Sequence, residues 1–196
     1  PASPSEHLLK SIATHFDLPQ LRDRRGRWRV EADGSTDALA KLRAGEADVA
    51  VLWEPDVSRA LASDEFVKLI GTGDTDKLIV DVLIASRKVV QDRPEVVASL
   101  LAQYFQTLRF YGEQPGRLSD DVRAWSSLDA AQVEAMLAGV RFATLNDNGA
   151  LWFGVTAGGV PQREGLVEAI EGTVAVLRAA GDFDDNPLPD EDPYRI

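Results

Sequence analysis

The stretch Ala38-Leu-Ala-Lys-Leu-Arg-Ala-Gly-Glu-Ala-Asp-Val-Ala-Val-Leu-Trp-Glu-Pro55 decides how this chain is read. Ala38, Leu39 and Leu42 form one apolar helical face, and Asp33-Gly34-Ser35-Thr36-Asp37 before them is a turn with an N-cap. Gly45 stands where the left-handed residue that closes a helix belongs. Residues 48–53 then make an apolar run of strand length, stopped by Glu54-Pro55. With a short strand at 28–32 ahead of the helix, the pattern is a βαβ unit. A helix of only about nine residues between two strands favours parallel strands in an open sheet.

Before this unit, Ser3-Pro4-Ser5-Glu6 gives a hydroxyl N-cap, a proline just inside the helix and an acidic first turn. The apolar positions Leu8, Leu9, Ile12 and Phe16 follow, so a helix is expected to run to about His15. After the unit, Asp56 caps a short helix through Val57, Ala60 and Leu61. Two more strands are expected at 67–70 and 77–86. From Arg87 the chain reads as mainly helical. Pro94 opens a helix whose apolar positions run from Val97 to Tyr111, and Gly112 and Pro115-Gly116 end it. Shorter helices start at Ser119 and Asp129, residues 144–154 are irregular, and a final helix spans about 162–180. These features predict an α/β domain over 1–86, a helical segment over 87–180 and an acidic, Pro-rich tail over 181–196.

Composition narrows the function classes. The 196 residues are 44% apolar, enough for a sizeable core. Acidic residues outnumber basic ones 32 to 21, a formal charge of −11 that repels nucleic-acid phosphates and anionic lipid heads. The one basic cluster, Arg22, Arg24, Arg25, Arg27 and Arg29, reads as a solvated loop. There is no cysteine, which excludes thiol nucleophiles, zinc ribbons and iron–sulfur clusters. No stretch approaches the roughly 20 apolar residues of a membrane span. The opening Pro-Ala-Ser-Pro-Ser, without an initiating Met, reads as a processed or excised piece.

Motifs for catalysis or cofactors fail on inspection. Gly71-Thr72-Gly73-Asp74-Thr75-Asp76 lacks the third glycine of a dinucleotide fingerprint and the Lys-Ser/Thr of a P-loop. It lacks the glycine and glutamate of a calcium-binding EF-hand as well. His7 and His15, the only histidines, stand two helical turns apart, too far to share one ion. No catalytic residue, metal or cofactor is expected.

The 38–55 stretch resembles the second lobe of the periplasmic substrate-binding proteins that serve nitrate/sulfonate/taurine-type ABC transporters. Three more segments match in order: Ser3 to Leu9, Asp81 to Val90 followed by the Arg93-Pro-Glu-Val96 helix start, and Ala169 to Phe183, the last helix with its Ala-Gly-Asp-Phe end. The resemblance covers nearly the whole chain but only the carboxy-terminal half of such a protein. It implies a two-lobed, type II binding-protein fold lacking the amino-terminal strands of its first lobe. It also implies an extracytoplasmic setting, a small anionic ligand and a transporter permease as partner. A sensory or envelope-scaffold module of the same fold is the competing reading. The related pyrimidine-precursor synthases use a cysteine motif that is absent here.

The resemblance places a ligand against the helix starts Ser3-Pro4-Ser5 and Gly34-Ser35-Thr36, where unpaired amides face an anion. Ser3, Ser5, Ser35 and Thr36 supply hydroxyls, or act as plain N-caps. Trp53 and Glu54 end the central strand and shape the pocket, although Trp53 also suits simple core packing. His7 is a donor from the first turn or a surface residue, and Asn146 faces the same cleft from its loop. An incomplete first lobe is expected to expose apolar surface on the helices at 93–180, or to recruit a second copy.

Overall fold

The computed structural model describes residues 3–22, 26–75, 77–126, 128–155 and 165–188. Two compact units divide the chain: residues 1–79 with 166–196 form unit 1, and residues 80–165 form unit 2.

Unit 1 begins with α1 (Pro4–His15). Ser3 Oγ accepts the Glu6 amide at 3.2 Å, and Pro4 supplies a first residue that needs no hydrogen-bond partner. A single 3-10 turn (Pro19–Leu21) follows, and then α2 (Ser35–Arg43). Gly34 enters α2 at φ +92, a backbone state that side chains with a Cβ rarely adopt. At the other end Gly45, at φ +72, lets its amide and that of Glu46 reach the Leu42 and Lys41 carbonyls. The short α3 (Asp56–Leu61) packs on α2, and α9 (Gly165–Ala179) supplies the rest of the unit's helix. Ala13, Leu39 and Ala60 are its buried apolar residues.

A buried ion cluster ties these parts together. Lys10 Nζ lies 2.6 Å from Asp182 Oδ2 and 3.1 Å from Glu6 Oε1, and Arg29 Nη1 approaches the same Glu6 oxygen at 3.4 Å. One cation on α1 therefore holds its own helix to the turn that follows α9.

Unit 2 contains α4 (Arg87–Asp92), α5 (Pro94–Glu113), α6 (Pro115–Ser126), α7 (Ala130–Ala138) and a short α8 (Leu145–Asp147) that runs into a π-helical turn at Asn148–Trp152. Pro94 starts α5 and Pro115 ends it, because the residue before a proline is pushed out of the helical region. Gln114 accordingly sits at φ −136, ψ 65. A reciprocal box starts α7: Asp129 Oδ1 accepts the Gln132 amide at 2.9 Å, and Gln132 Oε1 accepts the Asp129 amide at 3.1 Å. Val133 is the fully buried side chain of this unit among the described residues.

The expected α/β open sheet is not present among the described residues. Among the described residues there is no strand at 28–32, 48–53, 67–70 or 77–86, and the binding-protein fold implied by the resemblance loses its central element. The physical reason is that a helix completes its backbone bonding within a local segment, whereas a strand needs a neighbour. Here no neighbour arrives. The backbone of residues 78–85 makes no hydrogen bond among the described residues. Side chains expected to be buried face outward instead, with Val67 77% and Ile84 84% exposed. Helical boundaries shift in smaller ways: α4 adds a helix at 87–92, α6 starts at Pro115 rather than Ser119, and 145–152 is helical rather than irregular.

Candidate functional site

Three separate stretches of unit 1 meet through hydrogen bonds around Trp53. Helix α1 contributes Ser5, whose Oγ accepts the indole Nε1–H of Trp53 at 2.5 Å. Helix α2 contributes Ser35, whose Oγ accepts the Trp53 amide at 2.9 Å and lies 3.4 Å from the Trp53 carbonyl oxygen. Thr36, the next residue of α2, donates its hydroxyl to Asp56 Oδ2 at 3.0 Å. Trp53 is thus pinned from its ring by one helix start and from its backbone by another.

Acidic groups surround the start of α2, and each is answered by donors. Asp56 is almost wholly buried, and burial opposes its ionisation. Hydrogen bonds from Arg59, Ser35 and Thr36, with the Arg59 charge, outweigh that penalty and hold its carboxyl below the ordinary range. Asp37 is also held low, by its bonds to Lys41 and the Asp33 amide. Glu54 turns away toward α3, where Oε2 accepts the Ser58 amide at 3.1 Å and the Ser58 hydroxyl at 2.8 Å. The amides of Ser35, Thr36 and Asp37 make no hydrogen bond among the described residues, and no side chain caps α2. Three N–H groups and the positive end of a nine-residue helix therefore remain available to an acceptor.

Of the residues singled out from the sequence, Ser5, Ser35, Thr36 and Trp53 come together. Ser3 is occupied as the cap of α1, and Glu54 braces α3. His7 lies one turn into α1 and is not bonded to this group. Its two ring nitrogens are buried without partners, and burial, followed by the charge of Lys10, lowers its pKa. Asn146 belongs to α8 in unit 2, where its side chain is exposed. Sequence reasoning took Asp56 for a helix cap and missed its role as acceptor for Thr36. The Asp56-x-x-Arg59 spacing, which puts a guanidinium 2.9 Å from the carboxylate, was the available signal.

Among the described residues no group of histidine and acidic side chains is arranged to hold a metal, and no helix is long and apolar enough to cross a membrane. Compared with protein-family models, curated proteins and solved structures, the chain matches none of them.

Proposed function

We propose that unit 1 binds a small anionic solute at the start of α2, beside Trp53, and that this binding serves extracytoplasmic uptake through a transporter permease. The observation that carries the binding is the convergence of Ser5, Ser35 and Thr36 on Trp53 and Asp56 from three stretches of sequence. The open amides of residues 35–37 provide the anion's donors, and a strongly polar oxyanion suits them better than an apolar ligand. The Trp53 ring, partly exposed, offers an apolar wall. The link to uptake rests on the resemblance of the 38–55 stretch to ABC-type binding proteins, not on the fold.

Thermal unfolding in the presence of nitrate, bicarbonate, phosphate and alkyl sulfonates tests the reading. A ligand that binds only the folded state, present at about 100 times its dissociation constant, adds about 2.7 kcal/mol to stability. The expected result is a shift with one oxyanion class that disappears in Ser35→Pro, which puts a proline at the first helical position and removes one of the three amide donors together with the hydroxyl that holds the Trp53 backbone. Proline is tolerated at that position, and unchanged helical circular dichroism checks that the fold survives. No shift with any member of the panel overturns the proposal.

A further inference from the structure

We infer that His7 is an acid-sensitive pin for the start of α1: a second proton on its ring shifts the first turn and takes the Ser5 hydroxyl away from Trp53. Both ring nitrogens of His7 are buried without a hydrogen-bond partner. A neutral imidazole in that place leaves one N–H and one lone pair unanswered, whereas the imidazolium has two N–H donors and a charge to satisfy. Burying that charge unpaired costs far more than burying the neutral ring, so the charged ring moves toward water. Burial, followed by the charge of Lys10, already holds its pKa below the ordinary histidine value.

The charged groups brought to α1 are engaged elsewhere. On the helix itself, Lys10 Nζ lies 3.1 Å from Glu6 Oε1. The 3-10 turn packed on α1 is followed by Arg22, whose guanidinium bonds to the Ala13 carbonyl and to Asp17. Arg29 is shared by Glu6 and Glu31. From the turn after α9, Asp182 reaches Lys10, while Asp184 and Asp185 are exposed. Glu54, beside Trp53, is turned to Ser58. None of these carboxylates bonds to the imidazole.

The Ser5–Trp53 bond is the contact that yields. Ser5 and His7 share the first turn of α1, and a bond of 2.5 Å leaves hydrogen-bond range after a displacement of about 1 Å. The ion pairs of Glu6 act over longer distances and survive such a shift, and Lys10 and the buried Ala13 keep the rest of the helix in place. Ser35, on α2, still accepts the Trp53 amide at 2.9 Å. Acid therefore frees the ring of Trp53 and leaves its main chain bound.

The indole N–H resonance of Trp53 in the whole chain, followed from about pH 7.5 to 5, tests the inference. Ser5→Ala at the upper end of that range gives the position of the released indole. The wild-type resonance should travel most of the way to that position as pH falls below about 6.5, while the Trp53 amide resonance and the helical circular dichroism hold. His7→Gln should keep the resonance in place, and His7→Leu should do the same if the glutamine variant loses helicity. His15→Gln, at the exposed end of α1, should leave the transition unchanged. A wild-type resonance that stays put overturns the inference. So does equal travel in the His7 variants, or travel that comes only with loss of the helical signal.

Discussion

Lys10 is a lysine with almost no water around it, and two carboxylates take the place of that water. Truncating one partner of such a cluster leaves the others charged and buried, which typically costs about 3–5 kcal/mol. Lys10→Met keeps the length and apolar stem of the side chain but removes the cation shared by Glu6 and Asp182. Urea denaturation should show a loss of that order, whereas an exposed pair such as Lys88–Asp92 should change little when broken. His7 sits on the same helix and acts through pH. Its folded pKa is lowered, so the unfolded chain takes up the proton first as pH falls. The contribution of neutral His7 is complete above the ordinary histidine pKa of about 6.5 and is lost as pH drops through and below that value. His7→Gln should flatten the dependence of stability on pH between about 7.5 and 5, and equal slopes in the two proteins would exclude this role. The residues of the Trp53 group were legible in the sequence because hydroxyls at helix starts and an aromatic after an apolar run carry their chemistry with them. Asp56 was not, since a buried carboxylate and a helix cap look identical until Thr36 is seen beside it.

Helices were readable because their determinants are local. Ser3 with Pro4, Gly45 after α2, Pro94 at the first position of α5 and Asp129 before α7 each act within one turn, and all four mark helix ends in the structure. Strands were misread because the determinants of a sheet are not local. The apolar runs at 48–53, 67–70 and 77–86 state only that these side chains favour burial, and a partner strand must come from elsewhere in the fold. The same gap explains why α5 shows a clean apolar period although none of its side chains is fully buried among the described residues. One prediction belongs at this scale. Asp129→Ala removes the acceptor for the Gln132 amide and should cost about 1 kcal/mol, with the loss of helicity confined to α7. Amide chemical shifts of residues 130–138 would register it, and an unchanged α7 would show that burial of Val133 alone holds the helix.

For the molecule as a whole, acidic charge and apolar exposure are partitioned. Unit 1 carries most of the negative charge together with the polar group around Trp53, and unit 2 carries most of the exposed apolar side chains. The composition of the chain, 44% apolar with a formal charge of −11, averages the two and gives no sign of the division. Along the chain, where one unit gives way to the other, runs the segment 78–85, whose backbone makes no hydrogen bonds among the described residues. Its amide protons are therefore free to trade with deuterium from solvent. In an isotope-exchange experiment, peptides covering 78–85 should label within seconds, as in an unfolded chain, while the interior of α5 labels more slowly. Slow labelling there would place those amides in hydrogen bonds, and its loss on dilution would trace the bonds to another molecule. A stretch of eight residues would then serve as a built-in gauge of how many copies the chain keeps company with.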